Sequence, residues 1–508
     1  MIHKTNRIFM NESPRTLLPL IPKPVVVNQT VGLHTVDDDV EIFAEKQFDK
    51  MTKYLQEIFT EHFKIETTIT NARKSRQQIV LERNDDPYLP EDGYVINNVS
   101  NVIHISSPTP QGIFYGIQTL RQLMSEKDGF WVLPKVIIRD YPRFSWRGFM
   151  LDEARHFMGK EVVKRLLEIM AFLKLNKFHW HLVDDQGWRI EIKRYPKLVE
   201  IGSRRKVLGK RGEQSLEVEP EVYGGHYSQE DIQEIVAFGQ ERFIDIIPEI
   251  EIPGHSSAAI AAYPKLSCKK TQSRVPIRWG IFKNIYCAGE KETYTFLENV
   301  LQEIMSLFPA KQVHIGGDEV LTANWKNCPA CQKKIQEEGL EGVDDLQPFM
   351  TNYFAKFLKK NDRQLMGWSQ IIHPKIPEDV LCQHWFGNKE EVMKFLRRGG
   401  KVVSSEMLST YLDYPYTLIS LKKAYEFDPV PAKLEEEYVT NILGIEAPLW
   451  TERVPNQKRL YYQVFPRLLA YAETAWTPEA QKNYKRFLKR LPAIMEKLEK
   501  LGVKVDYL

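Results

Sequence analysis

Seven residues, His314-Ile315-Gly316-Gly317-Asp318-Glu319-Val320, set two glycines and two adjacent carboxylates at the end of an apolar run that starts at Gln312. Glycine carries no side chain and reaches backbone angles closed to other residues, so a ligand could approach the main chain closely here. Neighbouring carboxylates repel, and the second gives up its proton less readily than the first. A protonated acid beside an ionised one is the pairing that sugar hydrolysis uses. A lone Asp-Glu pair is nevertheless more often a solvated strand end than a site. The rest of the chain has to decide.

Strand-like runs ending in charged, His or Trp residues occur at 145–152, 177–184, 244–251, 311–318, 364–369, 380–386, 401–406 and 441–450. Amphipathic helical stretches fall between most of them, at 161–174, 229–242, 294–307, 347–360, 390–398 and 459–475. Eight strand–helix repeats over roughly 350 residues predict an α/β fold of the (β/α)8 TIM-barrel kind, whose site lies at the C-terminal ends of the strands. Those ends carry Asp152 and Arg155, then His179, His181, Asp184 and Asp185, then Glu249, Glu251 and His255. His314, Asp318 and Glu319 follow, then Trp368, Trp385, Tyr411 with Asp413, and Trp450 with Glu452. Three tryptophans would wall a pocket with flat apolar faces suited to the C–H face of a sugar ring. Arg155, Asp413 and Glu452 would offer charged hydrogen bonds to hydroxyls. A single Trp is more often core packing; convergence on one barrel face is what argues for a site.

Residues 1–140 read as a separate small α+β domain, with strands at 24–27, 67–70, 78–81, 94–97 and 102–105 and helices at 41–63 and 109–124. The barrel is expected over 141–508, with a final helix at 483–501 packed against its outside. With 508 residues, 43% hydrophobic and 27% charged, the chain fits a soluble protein of two or three domains. A net charge of +3 without like-charge blocks gives no reason to expect nucleic acid or an acidic membrane as partner. No run is long enough to span a bilayer. The N-terminus has only the short run from Leu17 to Ile21, broken by Pro19, so no secretory leader is expected in this sequence. Five cysteines, an odd number, argue against a disulfide framework. Together these features predict a cytoplasmic location. Cys328-Pro329-Ala330-Cys331 has the spacing of a zinc or redox pair. A four-ligand site needs two more ligands, and Cys268, Cys287 and Cys382 show no matching spacing, so neither metal nor cofactor is expected.

Taken together, these motifs make the chain resemble the β-N-acetylhexosaminidases of glycoside hydrolase family 20 over nearly its whole length. The resemblance rests on Trp146-Arg147-Gly148-Phe149-Met150-Leu151-Asp152 through Arg155-His156-Phe157, and on His179-Trp180-His181-Leu182-Val183-Asp184-Asp185-Gln186-Gly187-Trp188-Arg189. It rests further on Pro248-Glu249-Ile250-Glu251-Ile252-Pro253-Gly254-His255, the 314–320 segment, Tyr411-Leu412-Asp413, Leu449-Trp450-Thr451-Glu452 and Phe465-Pro466-Arg467. It implies an exo-acting, retaining hydrolysis of terminal β-linked N-acetylglucosamine or N-acetylgalactosamine, with no cofactor and a glycan or glycoconjugate as substrate. By the same resemblance Glu319 is the general acid/base, and Asp318 holds the substrate's 2-acetamido group, whose carbonyl oxygen attacks the anomeric carbon. Tyr411 aligns that oxygen, while Trp368, Trp385 and Trp450 pack around the acetamido methyl and the ring. Arg155, Asp413 and Glu452 match positions that grip the terminal sugar's hydroxyls, and His255 with Asp184 match a relay that tunes Glu319. Two departures are Ser369-Gln370, where acidic residues are usual, and Ala154, where serine is common. Two other readings stay open from the residues alone. One is a metal-dependent amidohydrolase built on His179, His181, His255, His314 and Asp318. The other is a catalytically silent glycan-binding protein.

Overall fold

The structure is a computed structural model that describes residues 17–36, 39–74, 77–206, 222–387 and 389–505. Residues 1–16, on which the reading of an absent leader partly rests, lie outside them. The chain divides into two compact units, one of Met1–Tyr141 with Gln481–Lys497 and one of Pro142–Ala480 with Leu498–Leu508.

The larger unit is a closed barrel of eight strands. They are β1 (Trp146–Asp152), β2 (Lys177–His181), β3 (Asp245–Glu249), β4 (Gln312–His314), β5 (Gln364–Trp368), β6 (Leu381–His384), β7 (Lys401–Ser404) and β8 (Ile442–Leu449). Each pairs in parallel with the next, and β8 closes on β1. Each expected run contains one of these strands, so the TIM-barrel expectation holds. Most end sooner than expected, β4 most sharply. Beyond His314 the backbone turns left-handed, with φ of 64° at Gly316, 89° at Gly317 and 51° at Glu319, which no ladder accommodates.

Helices Lys160–Phe172, Gln229–Gln240, Lys291–Leu307, Leu346–Lys360 and Lys389–Arg397 stand where the 3.6-residue periodicity puts them. Ser228 opens the second with a reciprocal capping box to Asp231. The long helix expected at 459–475 is two helices, Gln457–Val464 and Arg467–Trp476. Pro466 lies between them and has no N–H to continue the ladder. That break frees Arg467, fully buried, to donate to the carbonyls of Leu412 (2.5 Å), Gln463 (2.7 Å), Tyr414 (2.9 Å) and Ile419 (3.2 Å). The loop carrying Tyr411 and Asp413 is thereby pinned at both sides of Asp413.

Beside an apolar cluster of Trp146, Ile247, Ala310, Met366, Leu381 and Val403, the barrel strands hold a set of buried polar groups joined by hydrogen bonds and ion pairs. Glu446 takes hydrogen bonds from Gln383 (2.7 Å) and Trp146 (3.0 Å) and lies 2.8 Å from His179 Nδ1. Glu249 accepts from Trp368 Nε1 (2.8 Å) and contacts His181 Nδ1. Burial disfavours charge on these imidazoles, but Glu446 and Glu249 beside His179, and Glu249 beside His181, override it. Their pKa values rise to about 9 and about 10. Removing either glutamate would strand a buried cation, a change that costs about 3–5 kcal/mol.

In the smaller unit one mixed sheet runs in the order Val26–Val36, Phe130–Asp140, Tyr94–Asn97, Val102–Ser107, Gln78–Arg83, Glu41–Ala44 and Thr68–Thr70. The helix expected at 41–63 begins only at Asp49. Glu41–Ala44 is instead a strand, paired in parallel on both sides. Phe130–Asp140 was not expected as a strand. Its Pro134 sits where the pairing to Val26–Val36 shifts register, one of the few places a strand tolerates a residue without an N–H. The C-terminal helix, Tyr484–Lys500, groups with this unit up to Lys497 and not, as expected, with the barrel. Lys497 Nζ donates to the carbonyls of Gln122 (2.7 Å) and Met124 (2.5 Å), at the C-terminal end of helix Pro110–Leu123, where a cation meets the negative end of the helix dipole. Among the described residues no helix is long and apolar enough to cross a membrane.

Candidate active site

One pocket opens at the C-terminal ends of the barrel strands, lined by Arg155, Asp184, His255, Asp318, Glu319, Trp385, Tyr411, Asp413, Tyr414, Trp450 and Glu452. Every residue to which the resemblance gives a role lines it except Trp368, which is buried beneath; the other strand-end residues Asp152, His179, His181, Asp185, Glu249, Glu251 and His314 are buried and do not line it. The Trp368 indole is held by Glu249, and its ring lies 5.8 Å from that of Trp450. Tyr414 is the addition; its ring is 6.2 Å from that of Tyr411. Only its place three residues past Tyr411 pointed to it.

The acid pair owes its position to the glycines, though not for the reason the sequence suggested. A Cβ on Gly316 would stand 1.8 Å from Glu251 Oε2, and one on Gly317 would stand 2.4 Å from Ile371 Cγ2. The space they leave is filled by a buried carboxyl and an isoleucine, not by ligand. Their left-handed angles then turn the chain so that Asp318 and Glu319 follow in the pocket. Glu319 itself is left-handed, a conformation costing roughly 1–2 kcal/mol in a residue with a Cβ. Strain of that kind persists where surrounding structure imposes it.

His255, also left-handed at φ 44°, joins two pairs of carboxylates. Its Nε2 lies 3.4 Å from Glu319 Oε2 and 3.7 Å from Asp318 Oδ2. Its Nδ1 lies 3.0 Å from Asp185 Oδ2 and 3.3 Å from Asp184 Oδ1. Burial would lower its pKa, yet Asp184, Asp185 and Asp318 raise it well above the ordinary imidazole value. Asp185 is thus the nearer partner of His255, and its Oδ1 also accepts the Ser257 amide (3.0 Å) at the start of helix Ser257–Ala262. Asp184 is chiefly engaged elsewhere, with Arg155 Nη2 (2.6 Å) and His181 Nε2 (3.0 Å). Despite burial, Arg155 and His255 hold its carboxyl far below the usual range. The adjacent-acid doublet 184–185 was visible in the sequence; which of the two faced His255 was not.

The remaining wall is built from flat groups and titratable ones. The Trp385 and Tyr411 rings stack at 6.2 Å and 16°, and Tyr411 lies 6.1 Å from Trp450. Arg155 stands over the Trp450 ring at 5.1 Å while its Nη1 and Nε bind Asp152 (3.2 Å) and Gln186 (2.9 Å). Gln370, one of the two departures, accepts a hydrogen bond from Trp385 Nε1 (2.7 Å) and so fixes that indole. Burial pushes Asp318 up to about 6, with Glu249 and Glu319 adding and His255 opposing. Burial, helped by Glu452, pushes Asp413 up to about 7. Asp318 Oδ1 and Asp413 Oδ1 are buried without a hydrogen-bond partner in the protein. Leaving such atoms unpaired is costly, and a ligand that supplies donors relieves the cost.

Among the described residues no one group gathers His179, His181, His255, His314 and Asp318; the first two and His314 share Glu249, while His255 stands with Asp318. Donor atoms close enough to share an ion occur as separate triplets: His179, Glu249, His314; His181, Asp184, Glu251; Asp184, Asp185, His255; and His255, Asp318, Glu319. Outside the pocket, however, Cys268 and Cys287 come together with Cys328 and Cys331, their sulfurs all within 4.8 Å of one another. The expectation that the Cys328–Cys331 pair stands alone is therefore wrong. The two partners lie 60 and 41 residues before Cys328 in irregular loops, beyond the reach of spacing rules.

Comparison with known proteins settles the family. The model of the glycosyl hydrolase family 20 catalytic domain matches residues 144–479, and that of the family's domain 2 matches residues 17–141. The chain belongs to glycosyl hydrolase family 20. Among curated family 20 relatives, a beta-hexosaminidase of Porphyromonas gingivalis is 34% identical over 95% of this chain and 64% of its own length. A beta-hexosaminidase of Vibrio furnissii is 37% identical over 78% of this chain and 66% of its own length. The chain thus spans just under two thirds of both relatives. The crystal structure of a family 20 exo-β-N-acetylglucosaminidase from Vibrio harveyi, in complex with N-acetylglucosamine, superposes with a TM-score of 0.86 at 32% identity, over 97% of this chain and 78% of that one. A metal-dependent amidohydrolase is not the reading these matches favour.

Proposed function

We propose that this chain is an exo-acting, retaining β-N-acetylhexosaminidase, removing terminal β-linked N-acetylglucosamine or N-acetylgalactosamine from glycans by substrate-assisted catalysis. The observation that carries the reading is that Asp318 and Glu319 both approach the same nitrogen of His255, at 3.7 and 3.4 Å. In a double displacement the nucleophile and the acid face each other across the scissile bond, about 5–5.5 Å apart. Asp318 and Glu319 are instead adjacent residues gathered on one imidazole, and the likeness to family 20 gives the nucleophile's role to the substrate's own acetamido oxygen rather than to Asp318.

The steps follow from that placement. Glu319 gives its proton to the glycosidic oxygen as the bond from C1 breaks and the electron pair goes to that oxygen. The acetamido carbonyl oxygen bonds to C1, leaving a positive charge shared over the oxazolinium ring. Ionised Asp318 stabilises this charge, which is absent from the ground state, so the interaction lowers the barrier rather than only KM. Burial holds the Tyr411 hydroxyl well above its ordinary pKa, so it stays a donor to the acetamido oxygen. Glu319 then takes a proton from water as the water attacks C1 and the ring opens. Trp385 and Trp450 exclude competing water, and Arg155, Asp413 and Glu452 hold hydroxyls of a terminal sugar, which makes the action exo. The beta-hexosaminidase activity named for the relatives, and the N-acetylglucosamine bound by the Vibrio harveyi enzyme, support the same substrate class.

A panel of chromogenic β-glycosides tests the proposal. Cleavage is expected for N-acetylhexosaminides and not for the matching sugars that lack the acetamido group. A thiazoline mimic of the oxazolinium is expected to inhibit competitively at low concentration; its failure to do so would sink substrate assistance.

A pH profile gives a second check. Asp318 has to be ionised, and its folded pKa is raised to about 6, so kcat/KM falls as pH drops through 6. Asp413, at about 7, titrates nearby, and Asp413→Asn separates the two. An acid limb near 6 persists in that variant if Asp318 is its source, whereas a limb near 7 that disappears belongs to Asp413.

A further inference from the structure

We propose that Cys268, Cys287, Cys328 and Cys331 form a tetrathiolate site for a single zinc ion, which ties together the two loops that carry His255 and the Asp318–Glu319 pair. Sulfur separations of 3.6 Å (Cys287–Cys331), 3.7 Å (Cys287–Cys328) and 3.8 Å (Cys268–Cys331) define the cluster. Four sulfurs held about 2.3 Å from one zinc ion stand about 3.8 Å apart at the corners of a tetrahedron. A disulfide would bring two of them to about 2.05 Å. A cluster of several irons would hold its cysteines farther apart. All four are free thiols, three of them buried.

The backbone around the cluster is shaped for close approach. Cys328 is the N-cap of helix Pro329–Glu337 and Cys331 lies in its first turn. Gly289 packs so tightly against this turn that a Cβ would stand 2.1 Å from the Ala330 carbonyl carbon and 2.3 Å from the Cys331 nitrogen. On the other side, Cys287 N donates to Leu266 O (2.8 Å), and Ser267 bridges to Tyr286. Two ligands therefore come from the connection after β3 and two from the connection after β4.

From the cluster the contacts lead straight to the pocket. Tyr286, beside Cys287, donates its amide to Pro253 O (3.1 Å), two residues from His255, and accepts from the buried Trp325 Nε1 (2.8 Å), three residues from Cys328. Asn324 reaches Lys283 O (2.6 Å) across the same seam. The ion would be a structural staple and not a catalytic one, since none of its ligands lines the pocket.

The test is metal analysis of the full chain purified without chelator. One zinc per chain is expected, released stoichiometrically when a mercurial titrates the thiols, and a cobalt-loaded preparation should show the intense visible bands of a tetrahedral thiolate complex. Cys328→Ser with Cys331→Ser should abolish binding and lower Tm by about 10 °C or more. Because that variant could simply fail to fold, the metal content of the unmodified chain is the deciding measurement. A metal-free, folded protein, disulfides among these four cysteines, or iron in place of zinc would each overturn the proposal. Chelation gives a further discriminator: activity should fall only together with Tm, whereas a catalytic metal would leave Tm in place.

Discussion

Glu319→Gln lowers kcat/KM by about 10²- to 10⁴-fold, the range a general acid contributes. The loss is largest for substrates whose leaving group is another sugar and smallest for nitrophenyl glycosides, because a nitrophenolate departs without a proton. Glutamine is isosteric, keeps the left-handed backbone at this position as poorly or as well as glutamate, and cannot donate as an acid. Comparing the two leaving-group classes in one variant therefore isolates proton transfer from binding. A catalytically silent glycan-binding protein would lose nothing by this change. Equal losses for both classes would remove Glu319 from the acid role.

Asp318→Asn carries the second large effect, and it acts in opposite directions on activity and stability. Removing a charge aimed at the oxazolinium costs about 10²- to 10³-fold in kcat, and thiazoline binding should weaken by a comparable factor because that inhibitor resembles the charged intermediate. Stability moves the other way. The folded pKa of Asp318 is raised from 3.8 to about 6, so above pH 6 the native state holds a charge that the unfolded chain bears at no cost. The penalty is full above about 6 and fades as pH falls toward 3.8. At neutral pH it is on the order of 2–3 kcal/mol. Asparagine removes it, so the variant should melt higher than the parent at pH 7.5 and no higher at pH 4. A variant less stable at pH 7.5 would mean that the charge is better compensated in the folded protein than its burial implies.

Much of the site was legible because a (β/α)8 barrel obeys one positional rule: whatever ends a strand faces the same opening. Once the strand-like runs at 311–318 and 441–450 are recognised, Asp318, Glu319, Trp450 and Glu452 are neighbours in space although far apart in the chain. Trp368 shows the limit of that rule. It ends β5 like the others, but Glu249 draws its indole inward, below the pocket floor. The reading of Gly316 and Gly317 had the right backbone conformation and the wrong occupant, since what fills the space beside a glycine is a tertiary fact. In the smaller unit, Glu41–Ala44 shows the same dependence: four residues placed between two parallel strands became a strand, whatever the helical spacing that follows them.

The sequence by itself determined the barrel, the family and the adjacent acids, because each is written in contiguous residues: period-2 and period-3.6 patterning, and motifs of three to eleven neighbours. Only the tertiary structure decided that His255 bridges the Asp184–Asp185 and Asp318–Glu319 doublets, that most of the last helix groups with the smaller unit, and that Cys268 and Cys287 meet Cys328 and Cys331. These depend on where irregular loops cross after the barrel has closed. Loop backbones carry no periodicity, so the residues they bring together leave no mark in the local order of the chain.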